Sequence, residues 1–433
     1  RKPITSEKKL KQYQAMMNRK ITIVILASIA LIANSCIEPK KHRPSFDPNK
    51  VRFDVCYNSS FDNALYPSFI LGMANYNGKK ESELFTFEVT SPKKNSVLRI
   101  VMDSSKVNYV TTIQTDLNDA NRRYYITPLI KWKYDNLARL KQPGMVDLTF
   151  TCYINDEEVD VKNMRLNYRS VNECLLGIHD SNNRYIDYRW LFAAFVNEEH
   201  PYLDFMLEEI LQQGIIDRFT GYQLNEKHVS KQVFAIWYYI QTKGIHYSSI
   251  SNTSRASKKV NTQYIRFLDE VYNNRQANCI DACVFMASIL KKIGIYTVIF
   301  IEPSHAYIGY YKDKKKKKMA LLETTLAGNV NLSSIDEHGE PAQIIQQLSR
   351  YSKYMKNNEM QRYKEGLISL KKVKEDISQE SFRIATNYNI QRFSKNKKLY
   401  DNHNNASYSK LDINELREKV QPIVREPEYF RQK

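Results

Sequence analysis

Near residue 173 the hydrophobic pattern of this 433-residue chain changes period, and that change restricts the fold more than any other feature. Between about 50 and 170, apolar and polar residues alternate, the two-residue period of a half-buried strand. Phe85-Thr86-Phe87-Glu88-Val89 is one such run, and 97–102, 109–114, 124–127, 146–154 and 164–169 are others. Short alternating strands separated by polar turns predict a β-sandwich of Ig-like type over residues 51–172. After Asn172-Glu173-Cys174 the spacing becomes helical. Segments 185–199, 202–213, 229–243 and 263–274 read as helices, with Gly214 and Gly244 as stop signals. A helix opening at Cys279 and ending near Gly294 leads into three strands, 296–301, 305–312 and 319–324. The expected class is therefore α+β, with a mixed domain over 173–340 following the sandwich. A helical C-terminal extension spans 341–433, with a charged helical stretch to about 380, an Asn/Lys-rich loop over 387–405 and a last helix over 411–419.

Hydrophobic residues make up 42% of the chain, enough for real cores, and only 12 Gly and 13 Pro argue against a chain dominated by linkers. The first 20 residues hold seven basic side chains and one acid, a local +6 that leaves +12 for the rest of the chain's +18. Part of the remainder is the lysine run 314–318, which falls at the tip of a predicted hairpin and reads as a solvated turn. A diffuse basic excess suits polyanions or membrane surfaces. No nucleic-acid motif accompanies it, so nucleic acid is not an expected partner.

Met17-Asn18-Arg19-Lys20 is a short positive segment, residues 21–32 are an uncharged apolar run, and Ala33-Asn34-Ser35-Cys36 follows. A membrane-spanning helix needs about 20 apolar residues. The order of a positive start, a short apolar middle and small residues instead describes a secretory signal. The cysteine placed directly after the small residues resembles the lipobox of bacterial lipoproteins, in which the Cys becomes the lipidated N-terminus. Here that residue is Cys36, with Ala33 where Leu is commonest. An ordinary signal peptide with an incidental Cys is the alternative. Residues 1–36 are thus an upstream extension, signal and lipobox, and the polar, Pro-bearing 37–50 a tether. Six Cys are present; beyond Cys36 and Cys279, the remaining Cys56, Cys152, Cys174 and Cys283 could pair outside the cytoplasm or stay as buried thiols.

Chemistry concentrates between 278 and 325. Cys279 falls at a helix start, where unpaired N–H groups and the helix dipole stabilise a thiolate and could hold an oxyanion. His305 begins a strand 26 residues later, and Glu323 ends the neighbouring strand 18 residues beyond it. Near the open end of an antiparallel hairpin those two positions can face each other. A thiol, an imidazole and an orienting carboxylate are the parts of a cysteine-nucleophile enzyme. Asp281 opposes thiolate formation and reads as favourable charge in the first helical turn. Cys279, Cys283, His305 and Glu323 could instead be four zinc ligands, although a Cys pair three residues apart on a helix is an uncommon zinc knuckle.

The segment 263–325 resembles the transglutaminase-like superfamily, a branch of the papain-like cysteine-nucleophile fold. The likeness rests on Cys279 opening a helix, Gly294-Ile295, His305-Ala306-Tyr307 and Glu323-Thr324-Thr325. Gln263-Tyr264-Ile265-Arg266, Asn278-Cys279-Ile280-Asp281 and Arg169 to Cys174 resemble a bacterial lipoprotein subgroup, as do Asp412-Ile413 and Pro422-Ile423. The resemblance implies Cys279 as nucleophile, His305 as general base and acid, and Glu323 as the orienter, where Asp is the commoner family residue. It also makes Gln263 an oxyanion-side candidate, with helix capping or packing as the alternative role. The implied protein is lipid-anchored in a bacterial cell envelope and hydrolyses or transfers an amide of a protein, peptide or cell-wall substrate. It needs no cofactor and no metal, and the chain shows no acidic calcium loop. The competing expectations are a catalytically silent binding module of the same fold and an inert scaffold.

Overall fold

The structure is a computed structural model that describes residues 49–74, 84–248, 257, 259–402 and 407–426. The expected signal, Cys36 and the tether up to residue 48 lie outside the described residues. Strands and helices together make the chain an α+β protein.

The alternating region forms β1 (Arg52–Tyr57), β2 (Ala64–Leu65), β3 (Phe85–Thr90), β4 (Ser96–Met102), β5 (Thr111–Leu117), β6 (Arg123–Ile126), β7 (Gly144–Ile154) and β8 (Glu157–Tyr168). These make two sheets, β1-β3-β6 and β2-β8-β7-β4-β5. The period-two reading of β4 holds residue by residue: Ser96, Leu98, Ile100 and Met102 are buried while Val97, Arg99 and Val101 between them are not. Asn155 and Asp156 both sit at positive φ between β7 and β8, the backbone that a tight hairpin turn demands. Phe85 and Phe87 of β3 meet Phe150 of β7 with ring centroids 5.8 and 5.6 Å apart, so the two sheets share apolar contacts.

Three corrections follow in the second half. Segment 185–199 is not one helix but β10 (Tyr185–Asp187) and a 3-10 turn, Arg189–Ala194. Residues 191–196 form a continuous apolar run buried on every side, which periodicity cannot assign. Segment 263–274 is a strand and then a helix: β12 (Val260–Tyr264) pairs with β9 (Glu173–His179), and the helix is only Leu268–Asn274. Glu270 Oε2 accepts the Phe267 N–H at 3.0 Å and starts that helix late. The expected loop 387–405 contains a helix, Ile390–Tyr400. Its polar surface hid two anchors seven residues apart, Phe393 and Tyr400, whose rings lie 5.2 and 5.0 Å from Phe300. The helices Tyr202–Gln212 and Glu226–Thr242 form as expected, the latter capped by Asn225.

Helix Cys279–Lys292 packs on a four-stranded antiparallel sheet ordered β16-β15-β14-β17. Its strands are β14 (Thr297–Glu302), β15 (His305–Tyr311), β16 (Met319–Leu322) and β17 (Ser409–Asp412). The last strand is a further correction: 411–419 was read as a helix, yet Ser409 to Asp412 add to β14, and helix Ile413–Arg417 follows, capped by the Asp412 carboxylate. The lysine turn is solvated at Lys314, Lys315, Lys317 and Lys318, whereas Lys316 folds back onto the body. Lys316 Nζ lies 2.6 Å from Asp412 Oδ2 and 3.1 Å from Glu415 Oε1. Burial lowers the Lys316 pKa, but these two acids outweigh it and carry it to about 12.

Candidate active site

The sequence Asn278-Cys279-Ile280-Asp281 builds its own helix start. The Asn278 side chain accepts the Asp281 N–H at 2.9 Å, and Asp281 Oδ2 accepts the Asn278 N–H at 3.0 Å, a reciprocal capping box. Asp281 is fully buried and also takes the Arg266 backbone N–H at 2.8 Å and its guanidinium at 2.7 Å. Burial pushes the Asp281 pKa up while these donors pull against it. Asp281 is therefore an anchor for the turn. With Asp281 N–H and Ala282 N–H both bonded to Asn278, the Cys279 and Ile280 amides are the first-turn donors outside the cap among the described hydrogen bonds.

Cys279 and Cys283 lie one turn apart on the same side of the helix but at different depths. Cys279 is half-buried, whereas Cys283 is enclosed, with its sulfur 3.6 Å from Thr324 Oγ1. Burial pushes the Cys283 thiol well above its usual range and raises Cys152 to about 12. None of Cys56, Cys152, Cys174, Cys279 and Cys283 forms a disulfide among the described residues. Among the described residues, no three His, Cys, Asp or Glu side chains are arranged to hold a metal ion, so the four-ligand zinc reading is set aside.

β15 and β16 pair as far as Ile308 opposite Leu322, leaving His305 and Glu323 just beyond the hairpin's last pair. His305 Nε2 and Glu323 Oε2 are 2.8 Å apart, with the imidazole side chain 24% exposed and the carboxylate 1%. The longer Glu side chain caps a 3-10 turn, Thr324–Asn329, and still reaches the imidazole. Its Oε1 accepts Thr325 N–H at 3.2 Å and Thr325 Oγ1 at 2.6 Å, and its Oε2 accepts Asn389 Nδ2 at 2.8 Å. Burial alone would raise the Glu323 pKa; the bonds from His305, Thr325 and Asn389 hold it below the ordinary value. His305 is raised to about 9, first by hydrogen bonding to Cys279 and next by Glu323. With Nε2 on Glu323, Nδ1 is the ring nitrogen that remains for the sulfur. The imidazole is thus bonded to the Glu323 carboxylate at 2.8 Å, with Cys279 as the first cause of its raised pKa.

Gln263 stands on β12 opposite Cys174, and its amide donates to the Tyr264 carbonyl at 2.9 Å. Asn389 joins the site, although the sequence reading placed that residue in a loop. No local signal marks it, because it lies 66 residues from its carboxylate partner in a polar segment. An open cleft of about 390 Å³ reaches the imidazole, lined among others by Glu302, His305, Thr325, Tyr388, Arg392 and Tyr408. On another side stands Tyr247, whose phenol is raised by burial and then by Cys279 and Glu323.

Among the described residues no helix is long and apolar enough to cross a membrane. Compared with known proteins, the chain matches no protein-family model and no curated protein.

Proposed function

We propose that the chain is a cysteine-nucleophile enzyme acting on an amide, with Cys279, His305 and Glu323 as its catalytic residues. In this reading residues 173–340 with their C-terminal additions form a papain-like core of transglutaminase-like type, and 51–172 an Ig-like sandwich. The Cys279 thiolate attacks the amide carbonyl, and the N–H groups of Cys279 and Ile280 receive the oxyanion. His305 passes its proton to the leaving nitrogen as the C–N bond breaks, which leaves a thioester on Cys279. Water, giving a proton to His305, then attacks that thioester and releases a carboxylic acid and the free thiol; an amine in place of water would give transfer. Hydrolysis is the favoured outcome. With lipid on Cys36, the enzyme would work in the bacterial cell envelope on a protein, peptide or cell-wall amide.

The observation that carries this reading is the His305–Glu323 bond at 2.8 Å on an imidazole that Cys279 and Glu323 together raise to about 9. The test is the rate of iodoacetamide labelling of Cys279 against pH, localised by mass spectrometry, with His305→Ala beside it. Fast labelling that persists well below about pH 8, and is lost in the variant, is expected of a thiolate paired with imidazolium. An ordinary thiol profile, indifferent to the substitution, would remove the enzyme and leave a binding module.

A further inference from the structure

The wall of the cleft facing His305 is built by the helix Ile390–Tyr400 and its neighbours, and its charges are unevenly presented. Arg392 is 41% exposed, whereas the nearest acid, Glu302, is 8% exposed. Arg392 Nη1 and Glu302 Oε2 form a loose ion pair at 3.7 Å, longer than a hydrogen bond. The other oxygen of Glu302, Oε1, is turned inward, where it accepts Asn396 Nδ2 at 2.9 Å and the Tyr400 hydroxyl. The other acid of the cleft, Glu323, is buried under four donors. Tyr388, 57% exposed, stands on the same wall. The most exposed charge on this wall is therefore the Arg392 guanidinium, held by one long ion pair among the described residues. Its planar fork keeps the geometry of a two-pronged receptor for carboxylate.

We propose that Arg392 is a specificity residue that binds a carboxylate of the substrate next to the amide attacked by Cys279, an inference that rests on Cys279 being the nucleophile. The substrate class is then an acidic peptide or amino-acid amide. Its carboxylate comes either from an Asp or Glu side chain or from a free peptide C-terminus. Both present the same planar anion to Arg392.

Three alkylating probes separate these cases in the full-length protein: iodoacetyl-glutaminamide, which is neutral; iodoacetyl-glutamate α-amide, with a side-chain carboxylate; and iodoacetyl-glutamine, with a main-chain carboxylate. Labelling of Cys279 is followed by mass spectrometry. One of the charged probes is expected to react about tenfold faster than the neutral one, the gain from a charge-assisted bond. The faster of the two identifies the source of the carboxylate. In Arg392→Gln that preference should disappear while the neutral probe keeps its rate, which also reports that the site is intact. Arg392→Lys should retain part of the preference. A preference unchanged in Arg392→Gln, or no preference in the native protein while the neutral probe reacts fast, would overturn the role of Arg392. Slow reaction with all three probes would overturn the nucleophile reading, and this one with it.

Discussion

The Asn389 side-chain amide donates to Glu323 Oε2 at 2.8 Å, the same oxygen that faces His305 Nε2. Asn389 is fully buried, and its own Oδ1 has no hydrogen-bond partner among the described residues. The residue is thus placed for one bond, and that bond favours the ionised carboxylate. Asn389→Leu should weaken Glu323 as a partner of the imidazole, lower the His305 pKa and slow Cys279 alkylation near neutral pH by about tenfold, the worth of one buried charge-assisted bond. The alkylation rate measured against pH reads both effects.

Hydrogen bonding to Cys279 is the first of the causes that raise His305, with Glu323 next. In the proposed thiolate–imidazolium pair, serine would put a neutral hydroxyl in place of the sulfur anion. The His305 pKa should then fall from about 9 toward about 6.5, the ordinary histidine value. Glu323→Gln should lower it as well. Proton NMR titration of the imidazole separates the two, and an unmoved value in Cys279→Ser would sink the thiolate–imidazolium pairing.

The same shifts set the pH dependence of stability. His305 has a raised folded pKa, so its contribution is complete below its unfolded value of about 6.5 and fades as pH rises through about 9. Glu323 has a lowered folded pKa, so its contribution is present above its unfolded value of about 4.3 and fades as pH falls through the folded one. The advantage of the native protein over His305→Ala in urea midpoint should therefore be greatest between about pH 4.3 and 6.5 and diminish toward pH 9.

Asp281 ties the nucleophile's turn to Arg266 in a buried ion pair. Asp281→Ala removes a buried carboxylate that accepts the Asn278 N–H, the Arg266 N–H and the Arg266 guanidinium, and should cost about 3–5 kcal/mol of unfolding free energy. Asn278→Ala removes only a cap and should cost about 1 kcal/mol. Urea denaturation of the two variants checks the order.

A chain ending at residue 340 would lose β17, Asn389 and the rings of Phe393 and Tyr400 that cover Phe300. Such a chain should fail to protect the amides of β14 from hydrogen exchange and should label Cys279 slowly. Slow exchange in β14 of the shortened chain would contradict this.

The features legible in the sequence are those written in local spacing. The alternation in β4 and β7, the glycine stop after helix Cys279–Lys292 and the hairpin after it all repeat within a few residues, so period and turn chemistry reveal them. Cys279, His305 and Glu323 stood out because one helix start and one hairpin account for all three. What stayed hidden depends on distant partners. β10 and β12 are short and gain their hydrogen bonds from β9, and β17 has only four residues to advertise a strand. Asn389, Tyr388 and Arg392 sit in a segment whose polar composition resembles a loop. Their importance arises only where the fold lays that segment against the sheet.

The pairing of Val298 with Asp412 has a consequence for the order in which the protein is assembled. During synthesis β14 is made more than a hundred residues before the strand that covers its far edge. For that interval it offers a row of open amides and carbonyls to any neighbouring chain. The nascent polypeptide is most prone to mispairing in this window, and the arrival of residues 409–412 both closes the edge and completes the sheet that carries His305.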